Sequence, residues 1–428
     1  MLTLVIVITC ILLMILSLLF FPKIKVFNVQ LDTYYIITLI GAILLIALGK
    51  INLQETKELF FNDKGMNPIK IIILFLSMAF LSIYLDKLGF FHYLANKAAM
   101  KFKKSQTSLF LALFILISIL TVFTSNDIII LTFTPFICYF CKNTKINPVP
   151  YLIGEFFAAN TLSMTLIIGN PTNIYIASNA GITFMEYFSK MFIIGLLASI
   201  LLCLILLVLF KKQLKEPIKP IEEKSKIDSK FLLVTGLIHL ICCTVIMAIS
   251  NYVNIEMYLV SLSFAFSLII ITIIYSIVKK IRTKIIFTSL HDLPISFVPF
   301  LISMVILISC LAKTDFIKDL SHMLEKTNSP VLYGVSSFFL GNLLNNIPMS
   351  ILYSEIFSSS IVSTNTIYEV IAASNLCALF TPLGSLAGMM FISLIKQQKI
   401  NFSFVKFIKY GFVGIILAIF SFTLIILI

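Results

Sequence analysis

The sequence predicts an all-α polytopic membrane protein, with two inverted repeats, about ten transmembrane helices, two re-entrant hairpins and two broken helices. Three observations predict it. Of 428 residues, 60% are apolar and 12% charged, with a mean hydropathy of +1.07, whereas a soluble chain runs at roughly 45–50% apolar and about 25% charged. The apolar residues fall in separate runs, some long enough to cross a bilayer and others, of about 8 to 14 residues, too short. Similar strings also recur in the two halves. This composition excludes a cytosolic enzyme, a nucleic-acid binder and a disordered chain. The net charge of +13 is an orientation signal from Lys-rich loops, not a sign of a polyanionic partner.

The first run, 2–21, is too long for a signal-peptide core and lacks a basic leader and an A-x-A-like site, so it reads as a retained span. Runs 33–49 and 68–85 follow. After an amphipathic segment, 91–105, come two apolar arms, 106–124 and 128–140, around the polar tip Thr124-Ser125-Asn126-Asp127. The runs 149–168 and 174–180 flank a break at Gly169-Asn170-Pro171-Thr172-Asn173, and 191–210 closes the first repeat, 1–210. Lys211–Lys230 holds seven Lys, four acids and two Pro and reads as a cytoplasmic linker, 211–230.

The second repeat, 231–428, opens with spans 231–250 and 255–278, joined through Lys279-Lys280-Ile281-Arg282-Thr283-Lys284 to 293–312. Arms 331–344 and 349–358 enclose the tip Asn345-Asn346-Ile347-Pro348. Runs 366–379 and 385–395 flank the break Phe380-Thr381-Pro382-Leu383-Gly384-Ser385, and 402–428 ends the chain. The short runs require protein or a water-filled cavity around their exposed backbone.

The halves correspond at an offset of about 220 residues: Tyr84-Leu85-Asp86-Lys87-Leu88-Gly89-Phe90 parallels Cys310-Leu311-Ala312-Lys313-Thr314-Asp315-Phe316. If 211–230 and 279–284 are both cytoplasmic, with two spans between them, counting outwards puts segment 91–105 inside and segment 314–328 outside. The first carries Lys97, Lys101, Lys103 and Lys104 without an acid; the second balances Lys318 and Lys326 with Asp315, Asp319 and Glu325. A parallel repeat would not partition charge this way.

In an inverted architecture the tips and breaks meet near the midplane, where unsatisfied backbone groups face a cavity. Ser125, Asn126, Asn160, Gly169, Asn170, Thr172, Asn173, Asn345, Asn346, Thr381, Gly384 and Ser385 form the predicted substrate and ion site, which carries no fixed charge apart from Asp127. Helix N-termini there favour electron-rich atoms and carbonyls favour a cation. Asp127 should lie within the membrane, where an isolated carboxylate is costly unless it takes a proton or holds a cation such as Na⁺. Ile347 occupies the corresponding place in the second tip, which puts the coupling acid in the first half. Glu155, ahead of the first break, is a second coupling candidate.

Eight cysteines, mostly inside apolar runs, lack disulfide or metal-ligand spacing, and the Cys138-Tyr-Phe-Cys141 pair has no companion. The four histidines show no ligand spacing either, so no metal site is predicted. No cofactor is predicted, and no G-x4-G-K-[ST] loop is present for ATP chemistry. Transport would therefore be secondary, with H⁺ or Na⁺ as coupling ion. No nucleophile is paired with a base, so enzymatic activity is not expected.

These strings resemble the ion-transporter superfamily of ArsB-type arsenite permeases, NhaD-type sodium/proton antiporters, citrate carriers and sodium-coupled dicarboxylate carriers. Ser125-Asn126-Asp127 with Thr134-Pro135 resembles the family's first hairpin, and Gly169-Asn170-Pro171-Thr172-Asn173 is similar to the Gly-Thr-Pro-Pro-Asn break of dicarboxylate carriers. Asn345-Asn346-Ile347-Pro348 and Thr381-Pro382-Leu383-Gly384-Ser385-Leu386-Ala387 resemble the second half of arsenite permeases. The resemblance implies a multi-pass carrier of the cell membrane (inner or plasma membrane), a homodimer, and a small-molecule or ion substrate held between tips and breaks. An uncharged polar cavity with one acid leads to proton-coupled export of a small oxyanion or hydroxide such as arsenite. Sodium-coupled carriage of citrate or a dicarboxylate, and sodium/proton antiport, stand beside it, and a non-transporting receptor or structural role further off.

Overall fold

Backbone shielded from water must close its own hydrogen bonds, so apolar runs of this density fold as helices. The computed structural model describes residues 1–21, 23–26, 29–61, 67–101, 105–216, 229–281, 284–327, 329–359, 362–398, 400, 402 and 404–428. Most of the linker (217–228), Lys103, Lys104 and Arg282 lie outside the described residues. The first half contains α1 (Leu2–Phe20), α2 (Thr33–Ala47), α3 (Leu53–Phe61), α4 (Pro68–Lys87), α5 (Phe90–Lys101), α6 (Gln106–Phe123), α7 (Asn126–Thr144), α8 (Val149–Leu162), α9 (Pro171–Asn179) and α10 (Phe184–Leu209). The second contains α11 (Lys230–Ile249), α12 (Met257–Lys279), α13 (Ile285–His291), α14 (Phe297–Ala312), α15 (Asp315–Thr327), α16 (Pro330–Leu344), α17 (Asn346–Ser359), α18 (Thr364–Phe380), α19 (Leu386–Gln397) and α20 (Phe404–Leu427).

One element departs from the all-α expectation. Strand β1 (Lys23–Val26) pairs antiparallel with β2 (Val29–Asp32), Lys23 opposite Asp32. Its Lys-Ile-Lys-Val alternation has a period of two, but four residues between long apolar helices are too few to stand out.

By length and composition, α4, α6, α10, α11, α12 and α20 are each able to cross a membrane, and α14 and α15 meet at a 77° bend. Large apolar side chains on the outer helices face outward, among them Val208 of α10 and Ile277 of α12. By contrast α8 is buried at every position and α18 from Tyr368 to Leu379. A helix apolar all round belongs inside the protein, and these two central helices are the ones that lead into the two breaks.

Both tips join antiparallel arms. Tyr333 near the start of α16 meets Tyr353 at the middle of α17 and Phe357 towards its end, and Ser336 and Tyr353 share a hydrogen bond of 2.6 Å. In the first half, α5 packs on both arms, α6 and α7, with His92 meeting the ring of Phe136 in the middle of α7. The arms of the first hairpin pack on α8 and those of the second on α18.

Candidate functional site

Each tip and break ends one helix and begins another, and a polar side chain caps each new helix. Ser125 Oγ accepts from Ile128 N at 3.4 Å, Asn170 Oδ1 from Thr172 N at 3.2 Å, Asn345 Oδ1 from Ile347 N at 3.3 Å and Ser385 Oγ from Gly388 N at 3.0 Å. Such caps satisfy first-turn amides that would otherwise be orphaned. Asn345 does so from φ 80°, ψ 152°, a region nearly reserved for glycine that costs about 1–3 kcal/mol. Gly169 is required by close approach: a Cβ there would lie 2.2 Å from the backbone oxygen of Ser163.

Two of the capping residues, Asn170 and Asn345, and residues beside the caps make buried hydrogen bonds that run between the tips and the breaks. From the first tip, Asn126 Nδ2 donates to Asn160 Oδ1 of α8 at 3.1 Å. The Ser163 hydroxyl, just beyond α8, reaches Asn160 O and Asn375 Oδ1 of α18, each at 2.8 Å. Asn375 also accepts from Asn170 Nδ2 at 3.0 Å and donates to Asn173 Oδ1 at 2.7 Å. Beside it, Ser374 Oγ pairs with Thr172 Oγ1 at 3.0 Å, and Ser374 O accepts from Asn346 Nδ2 of the second tip at 3.1 Å. Asn345 Nδ2 donates to Leu383 O in the second break at 3.1 Å. Both tips and both breaks are thus linked through α8 and α18 without a charged side chain.

Other predicted residues lie around this network. Thr381 is half-buried and donates through Oγ1 to Asn342 Oδ1 of α16 at 2.7 Å. Gly384 is buried, its carbonyl accepting from the Cys377 thiol at 3.4 Å. Asp127 is half-buried where Asn126 is fully buried, because successive residues in the first turn of α7 point about 100° apart. Its backbone N–H donates to Asn126 Oδ1, and Tyr34 of α2 lies within electrostatic reach of it. Glu155 accepts from Thr134 Oγ1 of α7 at 2.8 Å, and among the described residues its carboxylate makes no hydrogen bond to either break.

The predicted set omits Ser163, Asn342, Ser374 and Asn375, which tie it together. Ser374-Asn375 had a signal, since it occupies in α18 the place of Asn160 in α8. Glu369, fully buried in α18, is also outside the set, although an acid inside the apolar run 366–379 is a signal in itself. Among the described residues, the buried polar atoms without a protein partner include Asn346 Oδ1 and the hydroxyl of Tyr175. Tyr175 borders a space of about 10 Å³ between Thr172, Ile347 and Ser350, room for about one water molecule.

The CitMHS citrate transporter family matches residues 33–367, most of the chain and both tips. The chain belongs to this family. It is a non-enzymatic membrane transporter and a multi-pass membrane protein. It is 23% identical over 405 residues to a 46 kDa membrane protein of Mycobacterium leprae, a match covering 89% of this chain and 90% of the relative. With the arsenical pump membrane protein of Escherichia coli it shares 25% identity over 365 residues, covering 79% and 81%. A Dictyostelium discoideum protein bearing the name arsB is 32% identical over 179 residues; the match takes in 42% of this chain but only 30% of that longer protein. The resemblance to the arsenite permease and citrate carrier branch is therefore upheld at the level of the family.

Proposed function

We propose that this carrier is a secondary active transporter that couples proton movement through Asp127 to the export of a small oxyanion or neutral hydroxide of the arsenite type. The observation that carries this reading is the uncharged network across tips and breaks, with one acid beside it. A trihydroxide or small oxyanion needs several donors and acceptors without a fixed counter-charge. Asn346 Oδ1 and the Tyr175 hydroxyl are buried polar groups awaiting such a partner. The name of the Escherichia coli relative points the same way.

In this reading the chain crosses the plasma or inner membrane ten times, with α8–α9 and α18–α19 as broken spans, α6–α7 and α16–α17 as re-entrant hairpins, and 211–230 in the cytoplasm. The halves are inverted repeats and the carrier works as a homodimer. The matching family's name favours a second reading, carriage of citrate or a related anion, with Na⁺ as coupling ion.

The test is flux in proteoliposomes under imposed ΔpH or Na⁺ gradients, offering arsenite, citrate and succinate separately. Arsenite flux that follows ΔpH and disappears in Asp127→Asn supports the proposal. Unchanged flux in that variant refutes the role of Asp127, and citrate flux driven by Na⁺ alone establishes the second reading.

A further inference from the structure

In the first half, α8 makes room for α6 with Gly154: a Cβ there would lie 2.6 Å from Cε2 of Phe110. The second half has the matching contact between α18 and α16, with the sizes exchanged. Here Gly334 of α16 makes room, and the group it admits is the Glu369 carboxylate, with Oε2 2.7 Å from where a Cβ would be. The rim of Phe422 of α20 is the other neighbour, at 3.1 Å. An apolar ring fills this kind of space in one half, so packing alone does not demand an acid in the other.

Glu369 has no exposed surface, and no described side chain hydrogen-bonds either of its oxygens. The backbone N–H of Gly334 stands beside it at the limit of hydrogen-bond geometry. The titratable groups on the elements packed against α18 include Tyr151 and Glu155 on α8, Tyr175 on α9, Tyr333 on α16, Tyr353 and Glu355 on α17, and Lys406, Lys409 and Tyr410 on α20. None of them is hydrogen-bonded to Glu369. Lys406 and Lys409 begin α20 some 20 Å or more along the helix from Phe422. An ionised carboxylate here would be strongly disfavoured, because among the described residues no cationic side chain lies beside it to replace its lost hydration. A metal cation would need further oxygen ligands, whereas the flanking surfaces are a glycine and a phenyl ring.

We propose that Glu369 is a second proton-binding site, placed in the half whose hairpin tip lacks an acid. It holds a proton while α16 and α18 are closed and exchanges it with water when that contact loosens. The proposal depends on proton coupling through Asp127 only for its use during turnover, not for the presence of the proton.

Infrared spectra of the purified full-length chain test it, comparing wild type, Glu369→Gln, Glu369→Asp and Asp127→Asn. The expected result at neutral pH is a protonated-carboxyl band that is lost in Glu369→Gln, displaced in Glu369→Asp and kept in Asp127→Asn. The band should shift within minutes in D₂O and fade reversibly in base. Absence of a band assignable to Glu369 overturns the proposal, and so does a band that resists D₂O until the protein unfolds. Failure of the Asp127 mechanism would show as retained flux in Asp127→Asn and would leave these spectra unchanged.

Discussion

Asn375→Ala removes the centre of the network and should be among the more damaging single changes at the site. Ser163 keeps a second acceptor, Asn160 O at 2.8 Å. Asn170 Nδ2 loses its acceptor at 3.0 Å and Asn173 Oδ1 its donor at 2.7 Å. Leaving a buried polar group unpaired costs about 1–3 kcal/mol, while side-chain hydrogen bonds between membrane helices average about 0.6 and reach about 1.7 kcal/mol. With two groups orphaned, the expected loss is about 1–4 kcal/mol. Equilibrium unfolding in mixed SDS micelles measures it, for Asn375→Ala, Asn173→Ala and the double variant. Because Asn173 and Asn375 bond each other, the two losses should be less than additive, with a coupling of about 0.5 kcal/mol or more. A loss in Asn375→Ala below about 0.5 kcal/mol, together with strict additivity, would refute the view that this amide holds the two halves together.

Three further outcomes follow from the same geometry. Gly169→Ala should cost about 1–3 kcal/mol or more by unfolding and abolish flux, since its methyl group meets the fixed carbonyl of Ser163 rather than a flexible side chain. At Asn345, whose φ is 80°, relief of strain offsets the lost hydrogen bonds in Asn345→Gly, so stability should stay within about 1 kcal/mol of wild type; Asn345→Ala keeps the strain, loses the bonds and should fall well below it in the same assay. Outside the membrane, the Asn52 N–H and then Lys313 hold the Glu55 carboxyl below its ordinary 4.5. A lowered folded-state value contributes stability above the ordinary value and loses it as pH falls through the folded one. Glu55→Gln should therefore lower the melting temperature slightly at neutral pH and leave it unchanged in strong acid, and the difference should shrink with salt.

The tips and breaks were legible because Asn, Pro and Gly interrupt apolar runs at matching places, and a membrane tolerates such interruptions only around a cavity. Asp127 and Glu155 were legible as acids among apolar residues. Their surroundings were not: Asp127 is half-buried, and Glu155 is bonded to Thr134 of the first hairpin. The short β1–β2 pair escaped notice because four-residue alternation carries little signal beside helices of about 20 residues.

By itself, the sequence determined that this is a helical membrane carrier and where its helices must stop, since hydropathy, charge and backbone conformation are local properties of the chain. Only the tertiary structure decided which polar groups meet. Asn375 reaches Ser163, Asn170 and Asn173 across more than 200 residues, and Glu369 lies without a side-chain partner among the described residues because α16 presents a glycine to it. Those pairings depend on how α8, α9, α16 and α18 cross, and a hydrogen bond a few ångströms long is set by that crossing, not by spacing along the chain.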